Sequence, residues 1–385
     1  MFVAFIASFG EAVRATLVVS IFYAVGLLVY RLKFAPLAGF PGPKLAAITG
    51  WYEFYYDWWL GGKYLFHIEK LHQEYGPIIR VNPIEVSISD PTFYNEVYVA
   101  EYKRRTEHYD AFAQGLNFDG SFLLTKDHDL HRHRRKPFEP SFSKKGISSF
   151  YSILVEVSLK LEARLLRLKG TGNVVRLDHV FACYAGDIMG RLCFDDVAID
   201  GNGEFLDDEK FAPDWYNVLH MMVLQVPLFT AFPWLAQIIK LVPKRLLLWA
   251  FPQGHAFNTF TEVARQRVRA IINLGDSNVE SKPASVFHAL ANSNMPDSEK
   301  TEDRLTIEAQ ILLAAGTVTS ARTIVMAAYY LLTDTRLQSE LRSELRKPMN
   351  GWPDRAPTMA ELENLPLLQA ISKEALRLVN DDMQF

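Results

Sequence analysis

Between Thr306 and Leu332 the chain is apolar on every side of a 3.6-residue period, with Glu308 and Arg322 as its only charges. A helix of that length spans about 40 Å at ~1.5 Å per residue, enough to cross a whole domain. A helix apolar all round must be buried, so this one belongs in the core of a mainly α-helical body. Further helical patterns run over Ile147–Leu168, His179–Cys193, Phe257–Leu274, Leu337–Leu345 and Leu365–Leu378. Residues 44–75 are aromatic and helical in pattern. Pro77–Val81 and Glu85–Ser89 alternate around Asn82-Pro83 and predict a small hairpin. There is no internal repeat and no low-complexity tract.

With 385 residues of which 49% are hydrophobic, the chain can bury a large core, which excludes disordered, collagen-like and disulfide-scaffold classes. Lys+Arg 41 against Asp+Glu 44 leaves a net charge of -3, so no nucleic-acid partner is expected. The two cysteines, Cys183 and Cys193, lie in an apolar segment without CxxC or Cys/His spacing and read as buried, reduced thiols.

Ala15–Tyr30 carries no charge and is a little short of the ~20 residues a spanning helix needs, so the helix is expected to borrow flanking residues. A cleaved signal peptide lacks support: the first ten residues hold no positive charge and no small-residue cleavage site follows. Arg31 and Lys33 come next, which places the body on the cytosolic side. Residues 1–33 are thus a membrane anchor, and residues 34–43, with Pro36, Pro41, Gly42 and Pro43, a stiff connector. Met221–Ile239 is also uncharged. Pro227 and Pro233 argue against an unbroken helix, and two short helices joined by an apolar loop dipping into the membrane surface are expected, with a second span as the alternative.

The middle of the long helix breaks a local rule. Gly316, Thr317, Thr319 and Ser320 are poor helix formers, and glycine alone costs about 1 kcal/mol relative to alanine. Such a cluster marks either a ligand close to the backbone or a tight helix crossing, and spacing does not separate the two. Asp127-His-Asp-Leu-His-Arg-His-Arg-Arg-Lys reads as a solvated basic face; the spacing of His128, His131 and His133 does not make a metal site, and no metal is expected. Glu374-Ala-Leu-Arg377 places two opposite charges on one helix face.

Taken together these segments resemble the cytochrome P-450 family of haem-thiolate monooxygenases. Ala315-Gly316-Thr317-Val318-Thr319-Ser320 resembles its oxygen-binding motif, Ala/Gly-Gly-x-acid-Thr-Thr/Ser. The resemblance implies that Thr319 relays protons to iron-bound dioxygen, with Gly316 and Ala315 against the haem and Ser320 beside them. Val318 stands where the family has an acid, so a carboxylate relay is replaced by Thr319, Ser320 and water. His131 and Arg135 match the pair that grips a haem propionate, and Glu374 and Arg377 the Glu-x-x-Arg structural ion pair. Phe40-Pro-Gly-Pro43, Tyr75–Pro83 and Met295–Lys300 also match, most closely fungal secondary-metabolism members of the trichodiene-oxygenase-like type.

The resemblance further implies a cytochrome P-450 fold, a haem cofactor, an NADPH-dependent reductase as partner, an apolar small-molecule substrate and an endoplasmic reticulum membrane location. Phe112, Phe118 and Phe122 are candidate substrate-facing residues, with aromatic core packing an equal account of each. The catalytic domain is expected over residues 44–378. Val379–Phe385 matches nothing in the family pattern, and the expectation is a C-terminally truncated, inactive chain without its axial cysteine. The alternative is a catalytically silent membrane-anchored binding protein, or the product of a damaged gene.

Overall fold

The structure is a computed structural model that describes residues 2–99, 105–107, 118–194, 204–208, 210–211, 214–274 and 285–382. The chain forms two compact units, one of residues 1–106 with 227–235 and 384–385, the other of residues 107–226 with 236–383.

The first unit begins with α1 (Phe2–Val29), which runs on through a π-helical turn, Tyr30–Phe34. Over Arg14–Phe34 its mean hydropathy is 1.9 and none of it is buried by protein. Exposed apolar side chains such as Leu17, Val19, Phe22 and Tyr23 suit lipid rather than water, and this helix is a candidate membrane span. It lengthens beyond the uncharged run by taking in flanking residues, as expected. The Pro/Gly connector is fastened to Arg80, whose backbone N–H donates to Pro41 O at 2.7 Å. Gly42, at φ 147°, lies so close that a Cβ would stand 2.5 Å from Arg80 O. The Arg80 side chain is itself buried and donates to the carbonyls of Arg31, Asn82 and Pro83. Helix α2 (Tyr64–Tyr75) packs Tyr64 and Leu71 on Ile79 and Val81. The hairpin is present as β1 (Ile78–Arg80) and β2 (Val86–Ile88), antiparallel, with Ile78 opposite Ile88 and Arg80 opposite Val86.

The regular elements described in the second unit are helices, chief among them α3 (His128–Arg135), α4 (Tyr151–Leu168), α5 (Leu177–Phe194), α6 (Asp214–Leu224), α7 (Gly254–Leu274), α8 (Val286–Ala291), α9 (Glu302–Thr333), α10 (Thr335–Leu345) and α11 (Pro366–Asp382). The long apolar helix is α9, and its flanks are α5, α7 and α11. By length and composition α9 also meets the test for a membrane span. It is a core helix instead, since it buries Arg304, Thr306, Glu308 and Gln310, polar side chains that lipid could not satisfy and that protein partners engage.

Three expectations are refined. The pattern over Ile147–Leu168 breaks at Phe150, where a buried ring sits at φ -93° and ψ 7° between a short helix, Lys144–Ser149, and α4. Helix α11 continues past Leu378 to Asp382. Met221–Ile239 is cut at Gln225 and Phe232, so helices Val226–Ala231 and Pro233–Leu241 follow α6, and the expected apolar loop is itself helical. Phe232 precedes Pro233 and cannot readily stay helical, whereas Pro227 sits in the first turn of its helix, where a missing N–H costs little.

Candidate active site

Helix α9 starts where Thr301 accepts a hydrogen bond from Arg304 N and where Glu302 and Asp303 face the positive end of the helix dipole. Its middle turns have two characters. Thr317 and Ala321 are fully buried, and the Thr317 hydroxyl has no hydrogen-bond partner among the described residues. On the other side Ala315, Thr319 and Ser320 are exposed. Ala315 and Thr319 are one turn apart, and Thr319 Oγ1 donates to Ala315 O at 2.8 Å. That bond ties down the hydroxyl proton and leaves the oxygen's other side open. Val318 packs toward the core and brings no carboxylate to this face. Gly316 sits at the crossing with α5: a Cβ there would lie 2.5 Å from Met189 Sδ. The crossing with α5 thus asks for a small residue at 316, beside the role that the family motif implies for it.

Helix α3 is capped by Asp127, which accepts from Leu130 N at 2.8 Å, and its last turn holds Arg132, His133, Arg134 and Arg135 at the negative end of the dipole. Its two candidate residues have different surroundings. His131 Nδ1 is hydrogen-bonded to Phe122 O at 2.8 Å. Arg135 is exposed, and none of the described residues pairs with its guanidinium. Arg134 is instead committed to the protein, with both carboxylate oxygens of Glu299 and the Thr125 hydroxyl as its acceptors.

The site residues fit a haem in two respects. A stripe of small residues on an open side of α9 gives a porphyrin face room to approach, and the exposed Arg135 guanidinium, with no partner among the described residues, suits a propionate. Cys183 and Cys193 are free and buried, and burial pushes both up to about 12, so they remain protonated.

Glu374 and Arg377 form the expected pair, at 2.6 and 2.9 Å, on an exposed face of α11. Phe118 is buried beside Phe257, and Phe122 packs on Phe138; Phe112 lies outside the described residues. The largest feature that sequence reading missed is a buried chain of charge, Arg134–Glu299–Arg304–Glu308, which joins α3 to α9. Its trace was legible as Arg304 and Glu308 one turn apart at the start of an apolar helix.

The profile of the cytochrome P-450 family matches residues 43–380. The chain is 43% identical over 377 residues to the cytochrome P-450 monooxygenase oblB of Aspergillus clavatus, which covers 96% of this chain and 72% of that one. It is 43% identical over 359 residues to the fusicoccadiene C-8 hydroxylase of Phomopsis amygdali, covering 91% and 68%. With the cytochrome P-450 monooxygenase tndB of Aspergillus flavipes it shares 41% over 376 residues, covering 92% and 76%. A profile match across most of the chain and relatives of this closeness have one meaning: the chain belongs to the cytochrome P-450 family.

Proposed function

We propose that this protein is a membrane-anchored haem monooxygenase that hydroxylates an apolar secondary metabolite, a diene hydrocarbon of the kind named for its fusicoccadiene-hydroxylating relatives. The observation that carries the reading is the exposed Ala315–Thr319–Ser320 stripe on the core helix, inside the family's oxygen-binding motif. Bound haem would supply dioxygen activation and transfer of one oxygen atom to a C–H bond. The chain's own residues do the rest. Arg135 holds a propionate, with His131 beside it on α3. The small side chains of the stripe leave room for the ring. The Thr319 and Ser320 hydroxyls, with water, hold and pass protons on a face where Val318 offers no carboxylate. Electrons come from an NADPH-dependent reductase, and the body faces the cytosol from the endoplasmic reticulum membrane because Arg31 and Lys33 follow the span.

The test is turnover in reductase-containing membranes with NADPH and isotopically labelled dioxygen. One labelled atom per product molecule is expected; an NADPH-independent product, or oxygen derived from water, contradicts the reading. A second reading is favoured by the two buried thiols: residues 1–385 by themselves form no thiolate-ligated haem and are silent. A carbon monoxide difference spectrum of the reduced, haem-supplemented chain checks it. A red-shifted Soret band of thiolate type would require Cys183 or Cys193 to reach the iron.

A further inference from the structure

Glu308 plays no part in the family pattern, yet its side chain is fully buried. Oε1 accepts from the Phe122 backbone N–H at 2.9 Å and from Arg304 Nη2 at 2.6 Å. Oε2 has no hydrogen-bond partner among the described residues. The carbonyl of the same Phe122 is bonded to His131 Nδ1 at 2.8 Å. One residue of the loop is therefore held by its N–H from α9 and by its C=O from α3. A second tie lies at Thr125, whose Oγ1 donates to Ser121 O at 2.6 Å and accepts from Arg134 Nη1, a member of the charge chain, at 2.8 Å. The charged groups facing Glu308 are Arg304 on its own helix, Glu299 in the turn before that helix and Arg134 from α3. His133 stands further out, beside Glu299.

We propose that Glu308 is a positioning residue: through the Phe122 peptide it fixes residues 118–125 and sets the ring of His131, so that loss of its side-chain acceptor loosens loop and ring together. This rests on the reading of Phe122 as substrate-facing and of His131 as haem-facing, and it adds the group that holds both. The protonated and the ionised carboxyl both offer an acceptor to the Phe122 N–H, and Glu299, 2.7 Å from Arg304 Nε, supplies that buried guanidinium with its countercharge. Burial pushes the Glu308 carboxyl up to about 7 against the pull of Arg304. An opened, hydrated carboxyl returns to the ordinary range, so ionisation favours the open loop and the clamp weakens as pH rises through about 7.

The experiment is amide hydrogen exchange on the purified 385-residue chain in detergent, read by mass spectrometry at pH 6 and pH 8 and normalised to the intrinsic rates. In the parent protein, protection of 118–125 should be lower at pH 8. In Glu308→Gln, a near-isostere that does not titrate, the difference between the two pH values should vanish. In Glu308→Ala, protection should fall at least about tenfold at pH 6, while peptides from Tyr151–Leu168 exchange as before and report an intact fold. An unchanged loop in Glu308→Ala, or the parent pH profile retained in Glu308→Gln, overturns the proposal. Haem affinity of His131→Ala tests the site reading separately. If that affinity is unchanged while the exchange pattern is as expected, the haem role of His131 falls and the clamp stands.

Discussion

Gly316 and Thr319 lie three residues apart on α9 and answer to different neighbours. Gly316 meets Met189, and the three nearest atoms a Cβ would find are all from that side chain, at 2.5 to 2.8 Å. Gly316→Ala should destabilise the protein by about 1–3 kcal/mol, because the methionine must move in a packed crossing. Pairing it with Met189→Ala should recover at least ~1 kcal/mol of that loss in a double-mutant cycle, measured by denaturant unfolding. If the two changes simply add, the crossing is not what the glycine serves. Thr319 faces the open side and contributes little packing. In the haem-loaded enzyme Thr319→Ala should leave haem content near that of the parent and lower product formed per electron consumed by about tenfold or more, the scale of a lost proton-transfer group. Product per electron equal to the parent would pass the role to Ser320.

The helices that were easiest to foresee are those whose pattern is set by burial. Residues 306–332 read as one core helix because apolar side chains recur on every face, and α9 extends them by Thr333 at one end and by a first turn capped by Thr301 at the other. The break at Phe150 was not legible, since the pattern continues through it and the buried ring that forces it depends on tertiary neighbours. The same holds for the site. The motif residues were visible as motifs, whereas the clamp on Phe122 joins residues 186 positions apart and has no local signal. Helix α11 adds a case of remote capping, in which the Glu344 carboxylate accepts from Leu367 N and Leu368 N at 2.9 and 3.0 Å. Glu344→Ala should cost about 0.5–2 kcal/mol, read as a loss of exchange protection over the first turn of α11. Helix α1 presents a long apolar surface that no protein covers, and removal of residues 1–33 should release the chain from membranes on fractionation. Full retention of the shortened chain would transfer the anchor to Met221–Ile239.

Among the described residues, four buried or partly buried carboxyls share one direction of shift. Burial pushes Glu53 up to about 7, Asp57 to about 6, Asp187 to about 7 and Glu308 to about 7. A carboxyl held above its unfolded value keeps a proton that the unfolded chain has already lost, so each costs stability as pH rises: Glu53 and Glu308 from about 4.5 to about 7, Asp187 from 3.8 to about 7 and Asp57 from 3.8 to about 6. Carboxyls shifted the other way, such as Glu204 and Glu299 in their ion pairs, lose their contribution only as pH falls below the ordinary carboxylate range. Unfolding measured against pH should therefore show stability declining between about pH 5 and pH 7; a rise over that window contradicts the assignment. Haem is proposed to meet this chain on the open face of α9, with Arg135 at a propionate. The most direct test is a haem titration of the purified chain, followed in the Soret region, against Ala315→Trp and Arg135→Ala. Saturable binding by the parent, no binding by Ala315→Trp and binding weakened about tenfold by Arg135→Ala, the worth of one charge-assisted pair, are the predicted results. Equal binding by all three chains would contradict the account.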